Sequence, residues 1–306
     1  PSLQALALEV SAFHGEAPEE AALASLASHE DVRVRVAALR CAWLLPERAR
    51  AGFVPAALAA KSPAVRRAGL ELGLLCGSRA AWRACGELAR TSSSERALAW
   101  VVLALSGGDA ELQPVLQGLD ADRTRPLALW ALGFSGRLAA ADACLEMMDA
   151  EPSLAPLAAE AFSAITGLRI EERYAVTPPE DEETTLPPLE EDDLDANLVP
   201  APEESLPLPA VEAIADWWRQ ARKQLEPRVR YLHGQPFSGR VLLQALEQAS
   251  MRRRHVLALE LSLRSGGALR LQARGRVARQ YRELREASGA LHRISGGTFD
   301  KLMTAG

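Results

Sequence analysis

The chain has 306 residues, of which 48% are hydrophobic, and a net charge of −5. That length suffices for two domains or one long array. Its apolar runs fall short of the about 20 residues a spanning helix needs, and no charged–apolar–small leader opens it, so neither a membrane span nor a signal peptide is expected.

Aromatics make up only 5% of the residues, and much of the apolar content is Ala and Leu, which favour helix. Phe, Tyr, Val and Ile never form alternating runs, so almost no sheet is expected. The charge is unevenly spread. Residues 1–168 carry 15 basic and 19 acidic side chains, residues 169–209 carry two and 13, and residues 210–306 carry 18 and eight.

An Arg/Ala/Leu-rich run returns about every 30 residues through the first half. Asp31-Val32-Arg33-Val34-Arg35-Val36-Ala37-Ala38-Leu39 is followed by Pro63-Ala64-Val65-Arg66-Arg67-Ala68-Gly69-Leu70. It comes back at Arg96-Ala97-Leu98, Arg125-Pro126-Leu127 and Ala155-Pro156-Leu157. A period in this range marks stacked helix pairs. The turns that follow carry glycine: Gly77, Gly107, Gly136 and Gly167. Glycine past a helix end supplies the left-handed cap that other residues resist. Asp31, Ser62 and Ser92 stand as N-caps of the second helix in each pair, and Pro63 and Pro126 suit a first turn. Trp100 and Trp130 occupy equivalent positions, either as a core pair between repeats or as an exposed recognition pair.

The four cysteines, Cys41, Cys76, Cys85 and Cys144, form no CxxC pair and have no His at metal-ligand spacing. They read as reduced, buried side chains, in keeping with a reducing, cytoplasmic setting.

The pattern stops between Arg169 and Pro209, which holds eight prolines. Such a stretch cannot bury enough apolar surface to offset its ordering entropy, so a disordered acidic insert is expected, with Leu186, Leu189, Leu194 and Leu198 able to adhere to a neighbour. Helix resumes at Val211, Ile214, Trp217 and Trp218. The turn-rich Arg230-Tyr231-Leu232-His233-Gly234-Gln235-Pro236 follows, then a helix pair over Val241–Ser250 and Arg253–Ser265, and a last helix from Arg276 to Ser288. Leu257-Ala258-Leu259-Glu260-Leu261 before Gly266-Gly267 echoes the earlier repeats, which extends the array past the insert. The expected domains are a repeat array over 1–168, the insert over 169–209, and a further helix pair with a basic cap over 210–306.

The Asp-x-x-Val-Arg-x-x-Ala pattern of residues 31–44 resembles the short bacterial HEAT-like repeats, which are similar to the units of phycobilin-lyase-type solenoids. The Ala215-Asp216-Trp217-Trp218 block, the Gly234-Gln235-Pro236 connector and the Ala161–Gly167 ending together resemble a family of uncharacterised proteobacterial HEAT-like proteins whose genes often sit near type VI secretion clusters. That resemblance implies an all-α HEAT-like solenoid and no catalytic residues. It also implies a longer N-terminal region than this chain shows.

Catalytic patterns are missing. There is no Gly-x-Ser-x-Gly elbow and no HExxH, and the five histidines (His14, His29, His233, His255, His292) are scattered. Ser295-Gly296-Gly297-Thr298 lacks the Gly-Lys-Ser/Thr of a phosphate loop, and the acidic run lacks a Ca²⁺-loop pattern. No enzyme activity, cofactor or metal is expected. The candidate partner-binding residues are Arg252, Arg253, Arg254, Arg276 and Arg279. Glu283 and Glu286 lie four residues after Arg279 and Arg282, a spacing for helix-surface ion pairs. The expected function is a cytoplasmic protein–protein scaffold, which the family's gene neighbourhood narrows to a type VI immunity protein or effector adaptor with a toxin or effector as partner. The alternative is a nucleic-acid binder or a lyase- or glycosylase-type enzyme on the same scaffold. A mixed groove would favour a protein, and a continuous basic groove would favour DNA. The acidic insert is also expected to make a salt-sensitive contact with the chain's own basic end.

Overall fold

The computed structural model describes residues 2–176 and 203–304. The acidic core of the expected insert, 177–202, lies outside the described residues. The described chain is predominantly helical. Its N-terminal half comprises α1 (Ser2–His14), α2 (Glu20–Ala27), α3 (Val32–Ala42), α4 (Glu47–Ala51), α5 (Val54–Leu58), α6 (Pro63–Leu75), α7 (Arg79–Leu88), α8 (Arg96–Ser106), α9 (Asp109–Leu116), α10 (Arg125–Leu132), α11 (Leu138–Ala150) and α12 (Ala155–Thr166). After the acidic stretch come α13 (Val211–Ala221), the two-residue strands β1 (Tyr231–Leu232) and β2 (Gln235–Pro236), α14 (Gly239–Gln248), α15 (Met251–Arg264), α16 (Val277–Gly289) and α17 (Phe299–Leu302).

The helices carrying the Arg-Ala-Leu run pack on one another, α3 on α6, α8 on α10 and α10 on α12. The intervening α7, α9 and α11 fill the space between them. The apolar face is broad. In α8 every residue from Leu98 to Ser106 is buried, and Ala99, Val102 and Leu105 are fully enclosed. Alanine on these faces lets helix axes approach closely, and the leucines between them fill the gaps. All four cysteines are buried and unpaired, and burial pushes the thiols of Cys85 and Cys144 up to about 12.

Helix ends follow the sequence in part. Asp31 accepts from the Arg33 amide at 2.8 Å, and Pro63 and Pro126 sit in first turns. Ser62 occupies its cap position without a side-chain bond. Ser92 is not a cap: α8 starts later, at Arg96, after Glu95. The buried Glu95 carboxylate turns instead to Arg66 on α6 at 2.6 Å. Gly77, Gly107, Gly136 and Gly167 all have positive φ, between +67° and +78°.

The C-terminal region lies alongside these helix ends. Its small hairpin is laid against the glycine turns: the Tyr231 amide donates to Gly136 O at 2.7 Å, His233 to Ala164 O and Gly234 to Ile165 O at 2.9 Å. A Cβ added at Gly167 would stand 2.5 Å from the His233 carbonyl oxygen, so glycine is required there for contact as well as for φ. Arginines complete the seam. Arg264 donates to Leu105 O at 2.8 Å, Arg253 to Gly133 O at 2.7 Å and Arg230 to Phe134 O at 2.9 Å. The last carbonyls of a helix lack intrahelical donors and carry the negative end of its dipole, so cations are favoured there. Both flanks of the acidic stretch are ordered. Ala175 bridges Pro209, the Val176 amide donates to Leu208 O at 2.8 Å, and Glu203 reaches Arg252 at 3.1 Å. Structure therefore extends into the expected insert from both sides.

Candidate functional site

Four of the five candidate arginines are engaged inside the fold. Arg252 lies over the Trp130 ring at 4.5 Å and pairs with Glu160 and Glu203 at 3.4 and 3.1 Å. Arg253 is buried against the Phe134 ring at 4.1 Å. Desolvation lowers its pKa to about 10 despite the pull of Glu160. Arg254 donates to the Gln280 amide oxygen at 3.3 Å and to Glu247 O at 3.1 Å. Arg279 bonds Glu283 at 2.7 Å and the Phe13 carbonyl at 2.6 Å. Only Arg276, exposed just before α16, has a side chain with no partner among the described residues. The sequence displays these cations but conceals the carbonyls and rings that occupy them. The expected helix pairs do form, Arg279–Glu283 closely and Arg282–Glu286 at 4.0 Å.

The two tryptophans differ in burial, and neither stands out as a freely exposed ring. Trp100 is core, 3% exposed, with its indole N–H donating to Ala89 O at 2.9 Å. Trp130 is half-buried, edge-on to Phe134 at 5.0 Å and covered by Arg252.

The arrangement best suited to a ligand lies elsewhere. A cleft of about 860 Å³ opens between the N-terminal helices and the C-terminal region. Leu6, Val10 and Phe13 of α1 line one wall, Trp43 and α6 the floor, and His255 and Leu259 of α15 the opposite wall. Leu6 and Val10 remain 57% and 49% exposed on the side of α1 turned away from α3 and, with Leu3, form an apolar stripe. The Arg279 bond to Phe13 O ties α16 to α1 and closes one end.

The charges around this cleft are mixed. Its acids are already matched: Glu9 with Arg40 at 3.1 Å, Glu71 with Arg67 at 3.3 Å and Glu283 with Arg279. Two cations are not. Arg270 lies flat on the Trp43 ring, 3.7 Å from its centroid, and none of its donors has a hydrogen-bond acceptor among the described residues. Burial, then the nearby Arg50 charge, lowers its pKa to about 9, so it stays charged at neutral pH. Arg274 is exposed and likewise has no partner. Desolvation and the Arg274 charge hold the His255 pKa below its usual value.

A second cavity of about 1040 Å³ is lined by Leu127, Trp130, Leu154, Leu206, Leu208 and Arg252 among others. It lies where the chain leaves and re-enters the described structure, and its one cation, Arg252, is already paired. Among the described residues, no group of three or more His, Cys, Asp or Glu converges as a metal site, and no helix is long and apolar enough to cross a membrane. Sequence reasoning singled out the Arg252–Arg254 triplet because adjacent charges are conspicuous. It counted Arg270 only as one of a run of C-terminal arginines and did not connect it with Trp43, which lies far away in the chain and shares no motif with it. Comparison with protein-family models and with curated proteins finds no match to this chain.

Proposed function

We propose that the protein is a non-catalytic binding scaffold, a HEAT-like array of helix pairs whose C-terminal region folds along the helix ends and leaves a cleft for another protein. The observation that carries this reading is the mixed character of the cleft, with exposed Leu6 and Val10 beside paired acids and two unpaired arginines. Apolar area with a polar, partly charged rim is the composition of a protein-docking surface. A continuous basic groove for phosphates would need several aligned free cations, and four of the five candidate arginines are tied inward.

The resemblance to HEAT-like proteins of type VI secretion loci supports a narrower form of the proposal: the partner is a toxin or effector, with this chain as its immunity protein or adaptor. The test is a photo-crosslinking amino acid placed at Val10 in the intact chain, expressed in the native host, with crosslinked proteins identified by mass spectrometry. One recurrent protein, absent when the crosslinker is moved to the exposed Gln113 on α9, is the expected result. Recovery of nucleic acid alone, or of no protein, overturns the reading.

A further inference from the structure

We propose that the cleft between α1, α3, α6 and α15 takes an acidic, leucine-bearing segment of the partner protein, with one of its carboxylates seated on the Arg270 guanidinium held flat against Trp43. This rests on the reading of the cleft as a protein-docking surface.

Arg270 carries the argument. Its guanidinium is stacked at 3.7 Å on the indole, so one face is covered and the plane is set. The N–H donors lie along the edge of that plane, and no acceptor within the described structure uses them. A planar fork with fixed orientation is suited to a carboxylate, which it can hold through two parallel bonds. Arg274, exposed and unpaired, supplies a second positive charge on the same wall. The three acids of the cleft give no competing acceptor, since each already holds an arginine. The cleft therefore presents two cations with no hydrogen-bond or ion-pair partner among the described residues, the Glu283 charge offsetting Arg270 only at a distance.

The remaining lining selects for apolar groups beside that acid. Leu6 and Val10 form an exposed stripe on α1 that leads to Phe13 and Trp43. A basic segment would meet Arg270 and Arg274 as like charges. A wholly apolar one would cover Arg270 without supplying an acceptor, and leaving such a donor unmet is costly. A segment alternating leucine and glutamate at helical spacing satisfies both halves of the surface.

The test uses the intact chain and a fluorescein-labelled helical peptide of about three turns, with Leu at i, i+3 and i+7 and Glu between. Fluorescence anisotropy reads its affinity. Saturable, salt-sensitive binding is expected, weakened about tenfold or more by Arg270→Gln and only slightly restored by Arg270→Lys, which keeps the charge but loses the planar fork. A control peptide with Gln in place of Glu should bind as weakly as the variants do. Both variants should keep the helical circular-dichroism spectrum and cooperative melting of the parent, because Arg270 makes no hydrogen bond in the free protein. Equal binding of the Glu and Gln peptides, or no effect of Arg270→Gln, overturns the proposal. So does binding seen only after residues 177–202 are replaced by a Gly/Ser linker, since the chain's own acidic stretch would then be the occupant. A partner that crosslinks at Val10 but ignores Arg270→Gln leaves the scaffold function standing and removes only the acidic-segment assignment.

Discussion

Arg264 on α15 donates to the backbone oxygen of Leu105, 159 positions earlier, at 2.8 Å. It also holds Glu260 at 2.6 Å, which in turn holds Arg230. All three side chains are almost wholly enclosed. Arg264 further bonds Ser295 O and Gly297 O. One buried guanidinium thus joins the end of α8, the glycine-rich loop before α17 and a buried carboxylate. Desolvation lowers its pKa to about 10 against the opposing pull of Glu260, which leaves it charged at neutral pH.

Arg264→Ala should therefore cost about 3–5 kcal/mol, since Glu260 loses one of its two partners and three carbonyls lose a donor. Urea denaturation of the variant measures the loss. A cost below about 1 kcal/mol would mean that the cluster behaves as an exposed pair.

The same cluster predicts acid sensitivity. Burial alone would raise the Glu260 pKa, but Arg230 and Arg264 outweigh it and hold the group below its ordinary 4.5. A carboxyl with a depressed folded pKa contributes stability that is complete above its unfolded value and fades as pH falls through the folded one. Stability should hold from pH 7 to about 5 and decline below about 4.5. Glu260→Gln should lower stability at pH 7 and flatten the acid limb. Denaturation midpoints across pH 3–7 check both.

Gly167→Ala should destabilise by about 1–2 kcal/mol for the left-handed backbone alone, and by more because the new methyl meets the His233 carbonyl. Hydrogen exchange should rise at the His233 and Gly234 amides, whose acceptors are Ala164 O and Ile165 O. The equivalent change at Gly266, where a Cβ would have open space, should cost only the backbone term.

Trp100→Ala and Trp130→Ala should differ despite their matched positions. Trp100 is enclosed and should cost about 3–5 kcal/mol. Trp130 is half-buried and should cost distinctly less, removing the ring under Arg252 but leaving its pairs with Glu160 and Glu203. Thermal melts of the two variants measure the difference, and equal losses would contradict the split described above.

Cys85 and Cys144 should resist alkylation in the native state. Reaction requires the thiolate, and burial raises both thiols to about 12. Labelling at pH 8, followed by peptide mapping, should show modification only on unfolding.

Much of the helical content was legible because each helix repeats a local signal. Val65, Ala68 and Leu72 fall at helical spacing and are all buried, and the glycines of the turns recur about every 30 residues. Asp31 read correctly as a cap because capping involves neighbours two residues apart. Ser92 did not: α8 starts only after Glu95, whose carboxylate pairs with Arg66 on α6, a contact with no local signature. The basic C-terminal region was legible as charge and misleading as a surface, because Arg252, Arg253, Arg254 and Arg279 find their partners at distant positions.

By itself the sequence determined the predominance of helix, the place of the turns and the concentration of net negative charge over residues 169–209. These follow from composition, from helical spacing and from glycines recurring about every 30 residues. Only the tertiary structure decided where the C-terminal region lies, which arginines remain free, and that Arg270 meets Trp43 across a cleft. The reason is physical. Helix propensity and capping act between residues a few positions apart, whereas an arginine's partner is whatever acceptor folding brings within about 3 Å, and that depends on the path of the whole chain.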